Sequence, residues 1–205
     1  MKKLVSWLLA VTMLASLSAL PAMAEENVIK ESVSGFYYIE ANGDQAKLSA
    51  ASQDKFIQVD GLYFKDLNSN GTLDVYEDYR QPVEDRVADL LSQMDATQKA
   101  SQMVHLTLVS KKDSWFNENN VGFALVYEYI FDSATEAAKR TNEIQEISES
   151  APLGIPVIFS MDTEAGAAFV KDATFLPDEI NQGAVNDPEL VTRLNQVLKE
   201  ELMAV

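Results

Sequence analysis

The sequence predicts an α/β protein in which buried strands alternate with amphipathic helices. Two apolar runs, 121–130 and 155–160, have the composition of buried strands. Apolar residues at helical spacing follow each of them, over 134–147 and 190–202. Because parallel strands are joined by long crossovers, usually helices, this order indicates a parallel sheet covered by helices. Polar residues just past the carboxyl ends of such strands are the expected functional positions.

Residues 1–24 have the pattern of a cleaved signal peptide. Lys2 and Lys3 precede an apolar run over 4–20, and Ala22-Met23-Ala24 matches the small-residue cleavage pattern. An uncleaved membrane anchor is the alternative, but an apolar run of about 17 residues is near the lower limit for spanning a bilayer. We therefore expect a bacterial protein that is secreted or periplasmic, with no membrane attachment after cleavage.

The composition excludes several functional classes. The chain has 32 acidic and 16 basic residues and a net charge of −16, so its surface repels nucleic acid and anionic lipid. It has no cysteine, which excludes disulfides and thiol chemistry. His105 is the only histidine, which excludes metal sites that need two imidazoles, and its apolar run at 103–109 favours a buried structural role. No sequence motif for an organic cofactor occurs.

Residues 25–65 form a predicted polar leader that ends in a β-hairpin. The apolar segments 56–59 and 62–64 flank Asp60-Gly61, a pair typical of a tight two-residue turn. We expect the hairpin to lead directly into the acidic loop that follows.

Residues 66–77, DLNSNGTLDVYE, match a calcium-binding loop of twelve residues. Gly71 occupies the sixth position, where the chain must turn sharply. The alternative is an ordinary Asn70-Gly71 turn in a solvated linker. Few carboxylates are present, so we expect weak structural Ca²⁺ binding, with a dissociation constant of roughly 10⁻⁴–10⁻³ M. The expected ligands are Asp66, Asn68, Asn70, Thr72 through its carbonyl, Asp74 and Glu77.

Leader helices are predicted between this loop and the first buried strand. Pro82 suits the first turn of a helix whose apolar stripe extends to Met94. Asp95 with Gln98 has the spacing of a capping box for a second helix that reaches Met103. The polar stretch 110–120 is predicted to be a loop.

Four stretches, in this order, resemble the amino-terminal part of family 3 of the glycoside hydrolases, the β-glucosidase and β-xylosidase family. They are DLNSNGTLDVYEDYRQPVEDRVADLLSQM leading into KASQM, TNEIQEISESAPLGIPVIFSMDTEAG, TFLP, and GAVNDPELVTRLNQVLKEELMAV. The resemblance implies that residues 78–205 begin a (β/α)8 barrel and contain its first two βα units. It also implies a β-linked saccharide as the substrate of the whole enzyme.

The resemblance places Asp162 on the aspartate that hydrogen-bonds the sugar at the cleavage point. Around Pro177, TFLP lacks the arginine often found in the family. The family's nucleophile, acid/base residue and lysine-histidine pair come later than Val205, so we expect no catalytic residue in this chain. The expected state is an amino-terminal fragment that is inactive alone. A stand-alone secreted module that binds calcium or carbohydrate is the alternative, and the sequence indicates no oligomeric state.

Two local alternatives concern the chemistry near the strand ends. Asp162 and Glu164 would share one face of an extended strand, but a retaining glycosidase needs carboxyl groups about 5–5.5 Å apart across the bond. We therefore favour a sugar-binding aspartate beside a loop glutamate. Tyr127, Tyr129 and Phe131 could stack on sugars, but core packing is the preferred interpretation.

Overall fold

The structure is a computed structural model that describes residues 27–108, 113–126 and 131–205. The predicted signal peptide, Tyr127 and Tyr129 lie outside these residues. Over the described ranges, no helix combines the length and the apolar composition needed to cross a bilayer.

The amino-terminal part of the described chain is a small antiparallel sheet. Its strands are β1 (Lys30–Glu31), β2 (Tyr37–Ile39) and β3 (Leu48–Ala50), with β2 in the middle. Ile39, Ala50 and Phe56 form its buried cluster. The predicted polar leader therefore contains a sheet with a buried cluster of its own.

Strands β4 (Phe56–Val59) and β5 (Leu62–Lys65) pair in antiparallel fashion, with Val59 opposite Leu62. Asp60 and Gly61 have φ values of 53° and 80°. A two-residue turn with positive φ at both positions matches the right-handed twist of the strands, which is why Asp-Gly is favoured there. The end of β5 leads directly to Asp66.

Helices α1 (Val83–Gln93) and α2 (Ala96–Gln102) follow the acidic loop. The capping box is confirmed, because Gln98 N donates to Asp95 Oδ1 at 2.8 Å and Asp95 N donates to Gln98 Oε1 at 2.9 Å. The apolar stripe of α1 buries no residue within the helix, and Val83 is 65% exposed, although Met94 just past its end is buried.

A parallel sheet carries the second half of the fold. Its order is β6 (His105–Thr107), β7 (Phe123–Leu125) and β8 (Ile158–Ser160), and His105, Phe123 and Ile158 lie side by side. The predicted parallel pairing of the runs at 121–130 and 155–160 is confirmed.

The predicted strand count and the environment of His105 are wrong. Within the described ranges the sheet has three parallel strands, because β6 precedes the run that the sequence placed first. His105 begins β6 and is exposed, since it lies on the sheet face opposite the helices. The predicted loop at 110–120 contains the short helix α3 (Ser114–Asn117), which buries Phe116.

The main core lies between the sheet and the later helices. These are α4 (Ala134–Glu149) and α6 (Pro188–Leu202), whereas the short helix α5 (Glu179–Val185) between them buries no residue. Ala124 of β7, Ile144 of α4 and Leu198 of α6 are buried in one apolar cluster. The opposite face of the sheet is open, and Ile158 is 57% exposed there.

The starts of α4 and α6 are capped by the side chains of Ser133 and Asp187. Ser133 Oγ accepts a hydrogen bond from Glu136 N at 3.2 Å, and Asp187 Oδ1 accepts from Leu190 N at 3.0 Å. These side chains satisfy backbone N–H groups that have no partner within the helix.

Candidate functional site

Asp162 lies just past the carboxyl end of β8, as the sequence predicts. Its side chain is exposed. No hydrogen bond or ion pair joins it to the rest of the described chain. Its carboxylate is therefore presented to solvent at the edge where parallel α/β proteins bind their ligands.

The loop that carries Asp162 is held by its own backbone and by α6. Gly166 forms an antiparallel bridge to Phe175, and Leu176 N donates to Ala165 O at 3.0 Å. Gly166 has a φ of 88°, and a Cβ there would lie 2.5 Å from Thr174 O. Only glycine fits both conditions.

Thr174 and the preceding loop are also tied to neighbouring elements. Thr174 N donates to both carboxylate oxygens of Glu201 in α6, at 3.0 and 3.1 Å. Asp172 Oδ1 accepts from Ala134 N at 3.0 Å, at the start of α4. The loop after β8 is therefore fixed against the starts and ends of the surrounding helices.

Glu164 and Phe131 also lie near the strand ends, and their environments differ. Glu164 is exposed in the same loop as Asp162. The ring of Phe131 meets that of Phe169 edge to face, with 6.4 Å between centroids, and packs against the core. Core packing of Phe131 is therefore confirmed.

His105 contacts a serine across the open face of the sheet. Its Nε2 lies 2.6 Å from Ser160 Oγ, and its ring lies 5.8 Å from that of Phe123. A catalytic triad also needs a carboxylate on the other ring nitrogen. Among the described residues no carboxylate bonds to His105, so this pair has no third member there.

A pocket of about 480 Å³ opens beside the end of β8. Ser160 and Thr163 supply hydroxyl groups, while Phe169 and Leu202 make its walls mostly apolar. Its volume is within the usual range for small-molecule sites. Asp162 does not line it, so the pocket and the exposed carboxylate are separate features.

The acidic loop folds around two buried carboxylates. Asp66, at the first position, is 4% exposed and accepts hydrogen bonds from Asn70 N at 3.0 Å and Gly71 N at 2.8 Å. Glu77, at the twelfth, is 5% exposed and accepts from Leu67 N at 2.7 Å and Asp74 N at 3.1 Å. The carboxylates at the two ends of the loop thus hold its backbone by accepting hydrogen bonds from its N–H groups.

The remaining loop positions join the same network. Asn68 Nδ2 and Asn70 Nδ2 donate to Asp74 Oδ2 at 2.6 and 2.8 Å. Thr72 N donates to Asn70 Oδ1 at 2.7 Å. In the described ranges, no three Asp, Glu or His side chains form a group suited to hold a metal ion. The predicted metal ligands of this loop are oxygen atoms from carboxylates, amides and a carbonyl, the types that suit a hard cation such as Ca²⁺.

Burial shifts the pKa of two groups in this loop. It raises the pKa of Glu77, although the backbone N–H groups of Asp74, Leu67 and Asn68 partly oppose the shift. Burial also raises the pKa of Tyr76, and the neighbouring Glu77 and Asp74 add to that shift. Tyr76 therefore stays a neutral phenol that can donate a hydrogen bond.

The acidic loop is joined to the turn before β8, which sequence analysis did not foresee. Tyr76 OH donates to Leu153 O at 3.2 Å. A Cβ on Gly154 would lie 2.1 Å from Leu67 O, so the two backbones are in direct contact. Lys65 Nζ pairs with Glu149 Oε1 at 2.6 Å, and both side chains are largely buried.

Comparison of the sequence with known proteins identifies a family and several relatives. Residues 85–205 match the family described as Glycosyl hydrolase family 3 N terminal domain. The chain is 30% identical over 169 residues to a periplasmic beta-glucosidase/beta-xylosidase of Dickeya chrysanthemi, covering 73% of this chain and 26% of the relative.

Fungal proteins show similar likeness. A probable beta-glucosidase C of Aspergillus oryzae is 31% identical over 156 residues, covering 66% of this chain and 24% of the relative. A beta-glucosidase C of Emericella nidulans is 30% identical over 149 residues, covering 65% and 24%. The chain thus spans about a quarter of the length of these curated relatives.

Proposed function

The chain belongs to glycosyl hydrolase family 3, and from this membership we propose that it is the amino-terminal part of a secreted β-glucosidase-type enzyme. The reaction of the whole enzyme would be hydrolysis of O-glycosyl bonds in β-linked saccharides, in carbohydrate catabolism. The supporting observation is the match over residues 85–205, together with relatives that are named as beta-glucosidases.

We propose that the parallel sheet is the beginning of a (β/α)8 barrel. Strands β6, β7 and β8 run parallel, and α4 crosses from β7 to β8 on the covered face. The open face, where Ile158 is exposed, would then point toward the barrel interior, which is filled by side chains in such barrels.

Asp162 is the proposed sugar-binding residue of this part. An exposed carboxylate at a strand end can accept hydrogen bonds from two hydroxyl groups of a sugar ring. Glu164 would be a neighbouring loop residue without a sugar contact.

Saturation-transfer NMR with methyl β-glucoside and methyl β-xyloside tests this assignment. We expect Asp162→Asn to weaken saccharide binding by about tenfold, the effect of losing one charge-assisted hydrogen bond. Glu164→Gln is the matched control from the same loop and should bind like the wild type. Equal binding by Asp162→Asn and the wild type would remove Asp162 from the site.

We propose that this chain has no glycosidase turnover by itself. By family resemblance, the nucleophile and the acid/base residue belong to later parts of the enzyme. An assay of the purified chain on an aryl β-glucoside tests this proposal. Robust hydrolysis that disappears in Asp162→Asn would contradict it and would favour chemistry by Asp162 and Glu164.

A structural Ca²⁺ ion is the proposed ligand of the loop at 66–77. Asp66, Asn68, Asn70, Thr72, Asp74 and Glu77 would hold it, and the ion would brace the loop without taking part in the reaction. The support is the full set of oxygen donors at the expected positions and the burial of Asp66 and Glu77. This loop contacts the turn before β8, so an ion that stabilises the loop would also stabilise the turn that leads into the sheet.

Export is proposed from the signal-peptide pattern at residues 1–24 and from the periplasmic relative. The mature chain would begin at Glu25. Mass spectrometry of the exported product measures its first residue, and a product that retains Met1 would contradict cleavage.

A further inference from the structure

We propose that Tyr76 and Gly154 are positioning residues that connect the acidic loop to Asp162. They would fix the turn at 150–154 against the loop at 66–77, and the turn would adjust the position of β8 and of the residues that follow it. The inference rests on the proposed role of Asp162 in sugar binding, because the expected effect is a change in the position of Asp162 and in saccharide affinity. Neither Tyr76 nor Gly154 would touch the sugar.

The contact at Gly154 is made between two backbones. Gly154 has a φ of 58°, and a Cβ there would lie 2.1 Å from Leu67 O and 2.5 Å from Leu67 C. Leu67 itself is held by Glu77 Oε1, which accepts from Leu67 N at 2.7 Å. Any side chain at position 154 therefore has to separate the turn from the loop.

Tyr76 provides a second link from a fixed position. Its backbone N donates to Asp89 Oδ2 at 3.0 Å, and its carbonyl accepts from Arg86 Nε at 3.0 Å, so α1 holds both ends of the residue. The side chain is buried, and its hydroxyl donates to Leu153 O. The residue therefore joins α1, the acidic loop and the turn.

The connection from the turn to Asp162 is short and extended. Ile155 O accepts from Ser148 Oγ at 2.8 Å, and β8 begins at Ile158. Strand β8 has three residues and pairs within the described chain only with β7. Phe159 packs against the core and so fixes which face of β8 points inward, whereas the exact position of the end of so short a strand also depends on the segment before it.

Two substitutions test the proposal with different disturbances. Gly154→Ala introduces the clash with Leu67, and Gly61→Ala is its control, because Gly61 also has positive φ but nothing lies within 4 Å of its Cβ position. Tyr76→Phe removes only the hydroxyl, and Tyr38→Phe in the leader sheet is its control. Tyr76→Phe also keeps the test informative if Gly154→Ala fails to fold.

The readouts are the backbone amide NMR signals of Met161 and Asp162 and the dissociation constant for methyl β-glucoside. We expect both signals to move in Tyr76→Phe and Gly154→Ala and to stay in place in the controls. The dissociation constant should rise about twofold to thirtyfold, the range for coupling through packed networks.

The two proposals fail in different ways. Unmoved Met161 and Asp162 signals in folded Tyr76→Phe would overturn the positioning role, whatever the saccharide does. Wild-type protein that binds no saccharide would overturn the sugar-binding role of Asp162, while the amide signals would still decide the positioning. Signals that move without any change in the dissociation constant would also overturn the coupling to binding.

Discussion

The side-chain amide of Gln145 pairs with the backbone of Val157 as a neighbouring strand would. Gln145 Nε2 donates to Val157 O at 2.8 Å, and Val157 N donates to Gln145 Oε1 at 3.0 Å. Val157 is 2% exposed and comes just before β8. A residue of α4 therefore satisfies the backbone of a buried segment that, among the described residues, has no strand partner at this point.

Gln145→Ala should destabilise the protein by about 2–4 kcal/mol. The reason is that two buried backbone groups of Val157 lose their partners, at a cost of about 1–3 kcal/mol each. Urea denaturation followed by circular dichroism measures the change. Gln196→Ala on the exposed face of α6 is the control and should change stability by less than about 0.5 kcal/mol. Similar losses in both variants would show that the Val157 pairing contributes little.

Glu77→Gln should abolish stabilisation by calcium. The wild-type melting temperature should rise as Ca²⁺ passes roughly 10⁻⁴–10⁻³ M, because an ion that binds only the folded state stabilises it. Replacing the carboxylate removes the ligand that would bind through both oxygens. Titration calorimetry and thermal melts with Ca²⁺, compared with EGTA, make the measurement. Glu84→Gln in α1 is the control, and an equal calcium response in all three proteins would exclude this site.

Asp78→Asn should destabilise the protein near pH 7 and make little difference near pH 2. Hydrogen bonds from the Arg80 guanidinium lower the pKa of Asp78 to about 2 from its usual 3.8. A lowered folded-state pKa adds stability above the usual value, and this stability is lost as the pH falls from about 4 to about 2.

The expected cost of Asp78→Asn at pH 7 is about 1–2 kcal/mol, since Arg80 is partly exposed and solvent weakens the pair. Urea denaturation at a series of pH values checks this result. The exposed Asp44 provides the control substitution, Asp44→Asn. A stability difference for Asp78→Asn that does not shrink with falling pH would contradict the assignment to the charged carboxylate.

Lys65 and Glu149 should be energetically coupled. Their side chains are 18% and 16% exposed, so the pair is less screened than a surface salt bridge. A double-mutant cycle with Lys65→Met and Glu149→Gln should give a coupling of about 1–3 kcal/mol. The exposed pair of Lys47 and Glu40, 4.0 Å apart, should give less than about 0.5 kcal/mol. Equal coupling in the two cycles would show that burial does not strengthen the first pair.

Local patterns predicted the helices α2, α4 and α6. Asp95, Ser133 and Asp187 are caps whose side chains act within three residues, so the sequence contains the whole interaction. The parallel pairing of β7 and β8 was also predictable, because apolar runs separated by a helix leave few other topologies.

Strand β6 was missed because its signal is short. Val104, Leu106 and Leu108 alternate with His105 and Thr107, which is a strand pattern, but it directly follows a helix and pairs over three residues. Helix α5 was missed for a similar reason, since it spans only seven residues after Pro177.

The surroundings of the acidic loop could not be read from one sequence. The ligand residues predicted for the loop are close in sequence, so their pattern predicted which side chains form one hydrogen-bonded network. The contact between Leu67 and Gly154 and the bond from Tyr76 to Leu153 join residues far apart in the chain. Their existence depends on how the sheet and the hairpin dock, which no local spacing encodes.

The ion pair of Lys65 and Glu149 also has a kinetic consequence, since its partners are 84 positions apart. Closing a chain segment of that length costs about 4 kcal/mol of conformational entropy on length alone. An isolated hairpin of β4 and β5 is at best marginally stable in water, but this hairpin packs against the leader sheet through Phe56 and Tyr63 and does not need α4 for that contact. During refolding, the contact of Lys65 with Glu149 should therefore form later than the hairpin itself.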